Sequence, residues 1–370
     1  MINRDAVQDC FLRLVRTDSL SGQEGAVADL LAGDLAALGL EVTRDRAGEA
    51  LGSDCGNVIG RLREGQGPPL LLNAHMDTVA PGQGVKPTFD GDIIRTDGTT
   101  ILGGDDKAGC TTIIMALRHV LAEGLPHPPL EIVFTIAEEI GLYGAKRLDY
   151  SALDAKWGIV AESGEVGKIT IAAPSADTID ATIKGRRAHA GVCPEKGINA
   201  IAAAARGIAR MNLGRLDEES TANVGTIQGG DARNIVPEKC VIVAGARSHV
   251  EAKLAAQSEH MKRCLEEGAA ELGARAEVVI ERAYSGFRLQ EGEPCLRLAQ
   301  EAGAAVGLVT RTEVSGGGSD ANVFNERGLR TAIICTGPRE VHTTDEYVEV
   351  NHLVRATEWL TAIITRAAAP

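Results

Sequence analysis

The stretch LLLNAHMDTVAPG, from Leu70 to Gly82, is a short apolar run that ends abruptly on a histidine and an aspartate. Its length and its flanking prolines, Pro69 and Pro81, favour a buried strand over a helix. His75 and Asp77 then stand where strand becomes loop, and residues two apart on a strand point to the same side. An imidazole and a carboxylate that converge suit a divalent cation such as zinc, although a His and an Asp that only cap a loop give the same pattern.

Two further predicted strands finish on acidic groups. The strand from Leu130 to Ile136 is followed by Glu138 and Glu139, and the strand from Trp157 to Ala161 is followed by Glu162. Two adjacent carboxylates are costly to bury as anions without a cation or another partner. In an open α/β sheet the carboxyl ends of strands gather in one crevice, so we expect these groups to meet there.

A glycine-rich loop, GGDDKAG, runs into a predicted helix. Asp105 and Asp106 lie at the helix start, where negative side chains suit the helix dipole. The interaction with the helix dipole is sufficient to explain one of the two aspartates, and the other is a candidate metal ligand. The candidate residues are then this aspartate, the groups at the strand ends and His342 near the end of the chain. They include the two histidines and several carboxylates that a pair of zinc-like ions needs.

Length and composition narrow the class of protein. At 370 residues the chain exceeds the size at which a single core usually stops growing, which predicts two domains. The net charge of -13 argues against a general nucleic-acid binder. The first residues contain no apolar h-region, no segment approaches membrane-spanning length, and the eight cysteines form no CxxC pair. We therefore expect a cytoplasmic protein that binds neither nucleic acid nor membrane.

The fold class follows from the order of the predicted elements. Residues 175–284 read as strand, helix, strand, strand, helix, strand, which is the order of a ferredoxin-like α+β sandwich. We expect this domain to be inserted into an α/β domain, with a mixed sheet flanked by helices, made of residues 1–174 and 285–370. Helices cover one face of the inserted sheet, so an exposed edge or face is available for dimerisation.

Eight stretches, in the same order along nearly the whole chain, resemble the M20 family of metallopeptidases and within it the peptidase T-like (tripeptidase-like) branch. They are AHMDTV, LGGDDKAG, AEEIGLYGAK, AESG, GRRAHAGVCPEKGINA, GGDARNIVPE, SGGGSDANVF and VHTTDEYV. The resemblance implies a zinc-exopeptidase-like catalytic domain with an inserted dimerisation or lid domain. It also implies two divalent metal ions, with zinc as the first choice and cobalt or manganese as alternatives.

The resemblance assigns the metal ligands residue by residue. They are His75 and Glu162 for one ion, Glu139 and His342 for the other, and Asp105 as the bridge between them. Asp105 is chosen over Asp106 because the family bridge stands two residues before the lysine, here Lys107. Glu162 departs from the aspartate that tripeptidases usually place there, which leaves the substrate sub-branch open.

The resemblance also implies the catalytic residues. Glu138 is the general base that takes a proton from the attacking water, and Asp77 receives the second N–H of His75. His189 reaches a substrate oxygen, often across a dimer, to stabilise the tetrahedral intermediate. Without the resemblance, a lone histidine in a loop between a strand and a helix is more often a surface residue.

Four substrate-binding candidates have a structural alternative each. Arg247 suits a substrate carboxylate, or is an exposed strand arginine. Asn234 offers an amide to the same pocket, or forms a turn before Pro237. Gly317 and Ser319 begin a helix whose N–H groups can face an anion, or they form a flexible turn with an N-cap.

The leading hypothesis is a dinuclear metal-dependent hydrolase that cleaves amide bonds of short peptides, as a tripeptidase or aminopeptidase, and works as a homodimer. An N-acyl-amino-acid deacylase or a carboxypeptidase is the alternative, because the same centre cleaves any amide whose carbonyl it can polarise. A non-catalytic metal- or peptide-binding protein would have lost residues of the centre. Here Glu138 and all five implied ligands are in place.

Overall fold

The computed structural model describes residues 1–368, and these form two compact units. The larger unit comprises Met1–Ala172, Arg288–Val314 and the described residues from Ser319 onward. The inserted unit comprises Ala173–Phe287 together with Ser315–Gly318. Within residues 1–368, no helix combines the length and the apolar character that crossing a bilayer requires.

The elements follow in chain order. The helices are α1 (Arg4–Val15), α2 (Gly25–Ala37), α3 (Gly104–Ala122), α4 (Tyr143–Arg147), α5 (Ala200–Ile208), α6 (Glu251–Ala270), α7 (Pro294–Ala305), α8 (Asp320–Glu326) and α9 (Val350–Ala367). The strands are β1 (Glu41–Arg44), β2 (Val58–Leu62), β3 (Leu70–His75), β4 (Thr88–Asp90), β5 (Ile93–Arg95), β6 (Leu130–Thr135), β7 (Trp157–Glu162), β8 (Lys168–Ala173), β9 (Ser175–Lys184), β10 (Ala188–His189), β11 (Gly214–Arg215), β12 (Ser220–Gly229), β13 (Ile235–Val236), β14 (Lys239–Ser248), β15 (Arg275–Tyr284), β16 (Phe287–Arg288), β17 (Arg311–Val314), β18 (Arg330–Cys335) and β19 (Val348–Glu349).

A mixed sheet organises the larger unit. Its order is β1-β2-β6-β3-β7-β18-β8-β16, with β17 beside β8. The four central strands, β6, β3, β7 and β18, run parallel, whereas β2 and β8 flank them in antiparallel pairing. Every residue of β3 and of β6 is buried, as expected for strands with both faces covered. The predicted α/β class with a mixed sheet is confirmed.

A β-hairpin follows the central strand β3 along the chain. β4 and β5 pair in antiparallel orientation on either side of a two-residue turn, Gly91 and Asp92, and Gly91 has the positive φ of 61° that such a tight turn favours. β19 joins β5 as a third strand, so the segment that follows His342 runs beside this hairpin.

The inserted unit has the predicted ferredoxin-like order of elements. Its four long strands form an antiparallel sheet in the order β12-β14-β9-β15, and α5 and α6 follow the first and third of these strands along the chain. Alternate residues of the strands, among them Ile179, Ile183 and Ile242, form one core with buried residues of the two helices, such as Leu265 of α6. The residues between them, such as Val243, lie on the opposite, exposed face.

Candidate metal centre

Three neighbouring parallel strands of the larger unit end at one edge of the sheet. His75 is the last residue of β3 and lies opposite Thr135, the last residue of β6. Glu162 is the last residue of β7, and Glu138 and Glu139 follow β6 directly after a short turn. The side chains from the three strand ends therefore share one crevice, as the strand-end pattern predicts.

Asp105 lies between two histidines in this crevice. Its Oδ1 is 3.3 Å from Nε2 of His75, and its Oδ2 is 3.2 Å from Nε2 of His342. Asp105 stands at the start of α3, but its φ of -85° and ψ of 99° are extended rather than helical. The carboxylate thus presents one oxygen to each histidine.

Each histidine has a second carboxylate beside it. Oε1 of Glu162 is 3.8 Å from Nε2 of His75, and Oε1 of Glu139 is 2.9 Å from Nε2 of His342. In each of the two resulting triads, the ligand atoms lie within 4.8 Å of one another. The five residues predicted as ligands are therefore together, as two triads that share Asp105.

The clustered carboxylates of the centre raise the pKa values of both histidines. Hydrogen bonds with Asp105 and Glu139 raise the pKa of His342 to about 10. Burial would lower the pKa of His75, but hydrogen bonds with Asp105, Asp77 and Glu162 raise it well above its usual value. Burial, followed by the charge of Asp105, raises the pKa of Glu162 to about 7. In the metal-free centre, protons on the imidazoles balance the carboxylates.

The donor set fits two divalent cations of the zinc type. Imidazole nitrogen and carboxylate oxygen are the ligands that zinc takes in catalytic sites. A carboxylate with one oxygen directed toward each histidine can bridge two ions, and the other four residues divide evenly between them. Bound cations would replace the protons that the imidazoles otherwise hold.

Asp77 is fully buried behind this centre. Its Oδ1 accepts a hydrogen bond from the Glu138 amide at 3.0 Å, and its Oδ2 accepts one from the Glu139 amide at 3.1 Å and one from Ser21 Oγ at 2.6 Å. Nδ1 of His75 lies 3.3 Å from Asp77 Oδ1 but 3.0 Å from the backbone oxygen of Asp77. Asp77 therefore supports both His75 and the loop that carries the two glutamates, and the nearer acceptor for the imidazole is its backbone.

Glu138 completes the buried part of the centre. Ligand atoms of Glu138, Glu139 and His75 lie within 4.8 Å of one another, and Glu138 is only 9% exposed. Burial, opposed by the charge of His75 and reinforced by neighbouring carboxylates, raises the pKa of Glu138 well above its usual value. A carboxylate whose pKa is raised accepts a proton more readily near neutral pH.

Glu346 supports the loop before α3, and the sequence motifs did not predict this role. Its side chain is buried, and its two oxygens accept hydrogen bonds from the amides of Leu102 and Gly103 at 2.8 Å and from the amide of Asp105 at 3.0 Å. It thereby fixes the loop that presents Asp105. The only sequence signal is its place four residues after His342 in VHTTDEYV, and spacing alone did not reveal which loop it contacts.

His189 and Asn234 lie close together in the inserted unit. His189 is exposed in β10, which pairs with β13, and the backbone oxygen of Asn234 accepts a hydrogen bond from the amide of Ala190 at 2.9 Å. Nδ1 of His189 accepts from the amides of Gly191 and Val192, at 3.2 and 3.1 Å. This fixes the ring and leaves its Nε2 directed away from the turn.

Arg247 is exposed on β14. It lines a cavity of about 630 Å³ on the inserted unit, together with Asn223 and Tyr284. A guanidinium at the wall of an open cavity is available to a carboxylate ligand.

Gly317 and Ser319 are held by local hydrogen bonds. The amide of Gly317 donates to Ser315 Oγ at 3.0 Å. Ser319 caps α8 by accepting from the amide of Ala321, and its own amide donates to Asn322 Oδ1 at 3.0 Å. These bonds form the N-cap that was the structural alternative for this loop.

Comparison with known proteins identifies the family of the chain. Residues 71–366 match the Peptidase family M20/M25/M40. The protein YqjE of Bacillus subtilis is 42% identical over 370 residues, which cover 100% of both chains. Aminopeptidase PepT from Bacillus cereus has a similar structure, with a TM-score of 0.85 and 40% identity over 100% of both chains. A tripeptidase from Staphylococcus aureus gives a TM-score of 0.91 at 38% identity, over 100% of this chain and 99% of that chain. The chain belongs to the peptidase family M20/M25/M40.

Proposed function

We propose that the protein is a dinuclear metal-dependent peptidase that releases the N-terminal residue of short peptides, as an aminopeptidase or tripeptidase does. The observation that carries the proposal is the position of Asp105, with one oxygen directed toward each of two histidine–carboxylate pairs. Similarity to a solved aminopeptidase and a solved tripeptidase over the whole chain supports the choice of short peptides.

In this proposal two divalent ions occupy the centre, and zinc is the metal whose ligand preferences match it best, with cobalt and manganese as alternatives. His75 and Glu162 would hold one ion, Glu139 and His342 would hold the other, and Asp105 would be shared between them. Bound ions would supply the Lewis acidity that hydrolysis of an amide needs.

The side chains around the ions do the remaining chemistry. Glu138 takes a proton from the attacking water at its carboxylate and delivers it to the leaving nitrogen of the peptide. Asp77 holds the Glu138 and Glu139 amides in place. His189 stabilises charge on the carbonyl oxygen, Arg247 pairs with the peptide carboxylate, and Asn234 offers its amide to the substrate. Gly317 and Ser319 are candidates for presenting backbone N–H groups to an anionic group of the substrate.

Three related substrates test which end of the peptide is recognised. We expect zinc- or cobalt-loaded protein to cleave a tripeptide, to cleave its C-terminal amide more slowly because the amide lacks the carboxylate that pairs with Arg247, and to be inactive toward the N-acetylated tripeptide, because an aminopeptidase needs the free amine. Chelation should abolish the activity and added metal should restore it. Cleavage of the N-acetylated peptide would indicate a deacylase or carboxypeptidase instead, and inactivity on all three peptides would contradict the proposal.

We also propose a cytoplasmic homodimer that forms through the inserted unit. All eight cysteines are free, which suits a reducing compartment. Val243 and Val279 are about half exposed on the face of the inserted sheet that its helices leave uncovered. Light scattering during size-exclusion chromatography should give twice the chain mass, and a mass of one chain would contradict the dimer.

A further inference from the structure

Four consecutive amides follow β6, and each donates to a buried side chain. The amide of Ile136 donates to Asn57 Oδ1 at 3.1 Å and the amide of Ala137 donates to Glu24 Oε1 at 2.9 Å. The next two amides, of Glu138 and Glu139, donate to the two oxygens of Asp77. The segment that carries the general base and a metal ligand is thus held by side chains instead of by a neighbouring strand. We call residues 136–139 the base loop.

Glu24 contacts the most constrained point of the base loop. Ala137 has a φ of 49°, which is a left-handed conformation that residues other than glycine avoid. Its amide is held by Glu24 on one side, and its backbone oxygen accepts from the amide of Tyr143 at 3.0 Å on the other. Without an acceptor for its buried amide, the left-handed conformation of Ala137 would lose a hydrogen bond that stabilises it. Ala137 would then adopt another conformation, and Glu138 would move with it.

The Glu24 side chain is itself fixed. Glu24 is fully buried at the N-cap of α2, and Ser53 Oγ donates to its second oxygen at 3.3 Å. It lies 113 positions from Ala137 in the sequence, so it joins the N-terminal helices to the base loop. No proposed ligand or catalytic role uses this carboxyl group.

We propose that Glu24 is a positioning residue for Glu138, acting through the amide of Ala137. The inference rests on the proposed function, in which Glu138 moves the proton, and it assigns Glu24 no contact with substrate or metal. A displaced base slows proton transfer while the metal ions and the substrate pocket stay as they are, because misplacement of a reacting group by about 1 Å can cost about 100-fold in rate.

Three substitutions at one position separate geometry from charge. Glu24→Gln keeps an oxygen that can accept from the Ala137 amide, Glu24→Asp keeps the charge but shortens the reach by one methylene, and Glu24→Leu removes the acceptor. We expect kcat on a tripeptide within about threefold of wild type for Gln, and a loss of about 10- to 100-fold for Leu, with Asp between them. KM and the two-metal stoichiometry should stay unchanged.

Glu131 provides the matched control. It is buried in β6 as well, and its two oxygens accept from the amides of Asp154 and Ala155 at 3.1 and 2.9 Å, in a loop away from the centre. Glu131→Leu removes backbone acceptors in the same way, so it should lower thermal stability without lowering kcat. A loss of kcat in Glu131→Leu equal to that in Glu24→Leu would overturn the proposal, because the effect would then be general destabilisation.

Hydrogen exchange tests the positioning without any assay of activity. In the metal-free protein, amides of residues 136–139 should exchange faster in Glu24→Leu than in wild type, and should be unchanged in Glu131→Leu. Unchanged exchange together with wild-type kcat in Glu24→Leu would refute the role of Glu24. If Glu24→Leu fails to fold, kcat and hydrogen exchange of Glu24→Asp test the role of Glu24 in the same way. If the wild type cleaves no peptide, the proposed function fails, whereas the exchange result still decides whether Glu24 holds the loop.

Discussion

Replacement of Asp77 by asparagine is a severe test of how the centre is built. Each carboxylate oxygen of Asp77 faces two donors. The amide of Glu138 and Nδ1 of His75 lie beside Oδ1. The amide of Glu139 and Ser21 Oγ lie beside Oδ2. An asparagine side chain has one oxygen and one NH2 group. In either orientation the NH2 group therefore faces one amide of the base loop, donor against donor.

The expected loss can be worked out from these contacts. A hydrogen bond to a charged group contributes about 1.5–3 kcal/mol, and a buried donor left without an acceptor costs about 1–3 kcal/mol. Because one such bond is lost and the serine hydroxyl can rotate away, we expect Asp77→Asn to destabilise the metal-free protein by about 2–4 kcal/mol. For a unit of this size the melting temperature should fall by roughly 5–15 °C.

Calorimetry of metal-free protein measures this loss, and kcat on a tripeptide measures its effect on the base loop. We expect kcat to fall by about 100-fold, because both Glu138 and Glu139 are displaced. Glu131→Gln is the matched control, since it creates the same donor–donor contact at Asp154 or Ala155 and should lower stability but not kcat. Wild-type stability together with wild-type kcat in Asp77→Asn would refute the reasoning.

The remaining predictions concern single groups of the centre. Glu138→Gln should keep two metals per chain and lose about 100- to 10,000-fold in kcat, because it removes the proton acceptor and no ligand; metal analysis and kinetics check this, and retained turnover would contradict it. Glu346→Gln should weaken metal binding by about 10- to 100-fold in a titration, because its NH2 group faces at least one amide of the loop that carries Asp105; an unchanged titration would contradict it. His189→Ala should slow turnover at unchanged metal content, and mixed dimers with Glu138→Gln should regain activity if sites are shared between subunits; a variant as fast as wild type would exclude the role. Metal binding should tighten as pH rises from about 6.5 to 10, because His342, whose pKa is raised to about 10, must release a proton to become a ligand. The stabilisation that this proton gives the metal-free protein is complete below about pH 6.5 and disappears as pH approaches about 10, so thermal unfolding of metal-free protein across that range provides a second check.

The convergence of several candidate ligands could be predicted because the ends of strands follow local rules, whereas the ligand set itself is what the family resemblance implies. His75 and Glu162 each end a strand, and parallel strands put their carboxyl ends side by side, so the pattern of apolar runs that finish on polar groups indicates which residues converge. The choice of Asp105 over Asp106 came from the family resemblance. The structure adds a physical contrast, because Asp105 faces both histidines while Asp106 Oδ1 accepts from the amide of Gly109 in α3.

The residues that hold the centre could not be predicted in the same way. Glu24, Asn57 and Glu346 contact backbone amides that are 113, 79 and 241 to 244 positions away. Every residue except proline has a backbone amide, so a side chain that accepts from one does not require a particular residue type as its partner. Neither a motif nor a periodicity therefore indicates such an acceptor in the sequence. Only the fold shows which buried carboxyl or amide group faces which loop, and for this reason the candidate ligands could be predicted from the sequence but the residues that support them could not.

Anomalous diffraction from crystals of zinc-loaded protein tests the central claim most directly. We expect two zinc peaks on either side of the Asp105 carboxylate, roughly 3.5–4 Å apart, one beside His75 and Glu162 and the other beside His342 and Glu139. A single peak, or two ions that do not share Asp105, would contradict the dinuclear centre and the peptidase chemistry proposed from it.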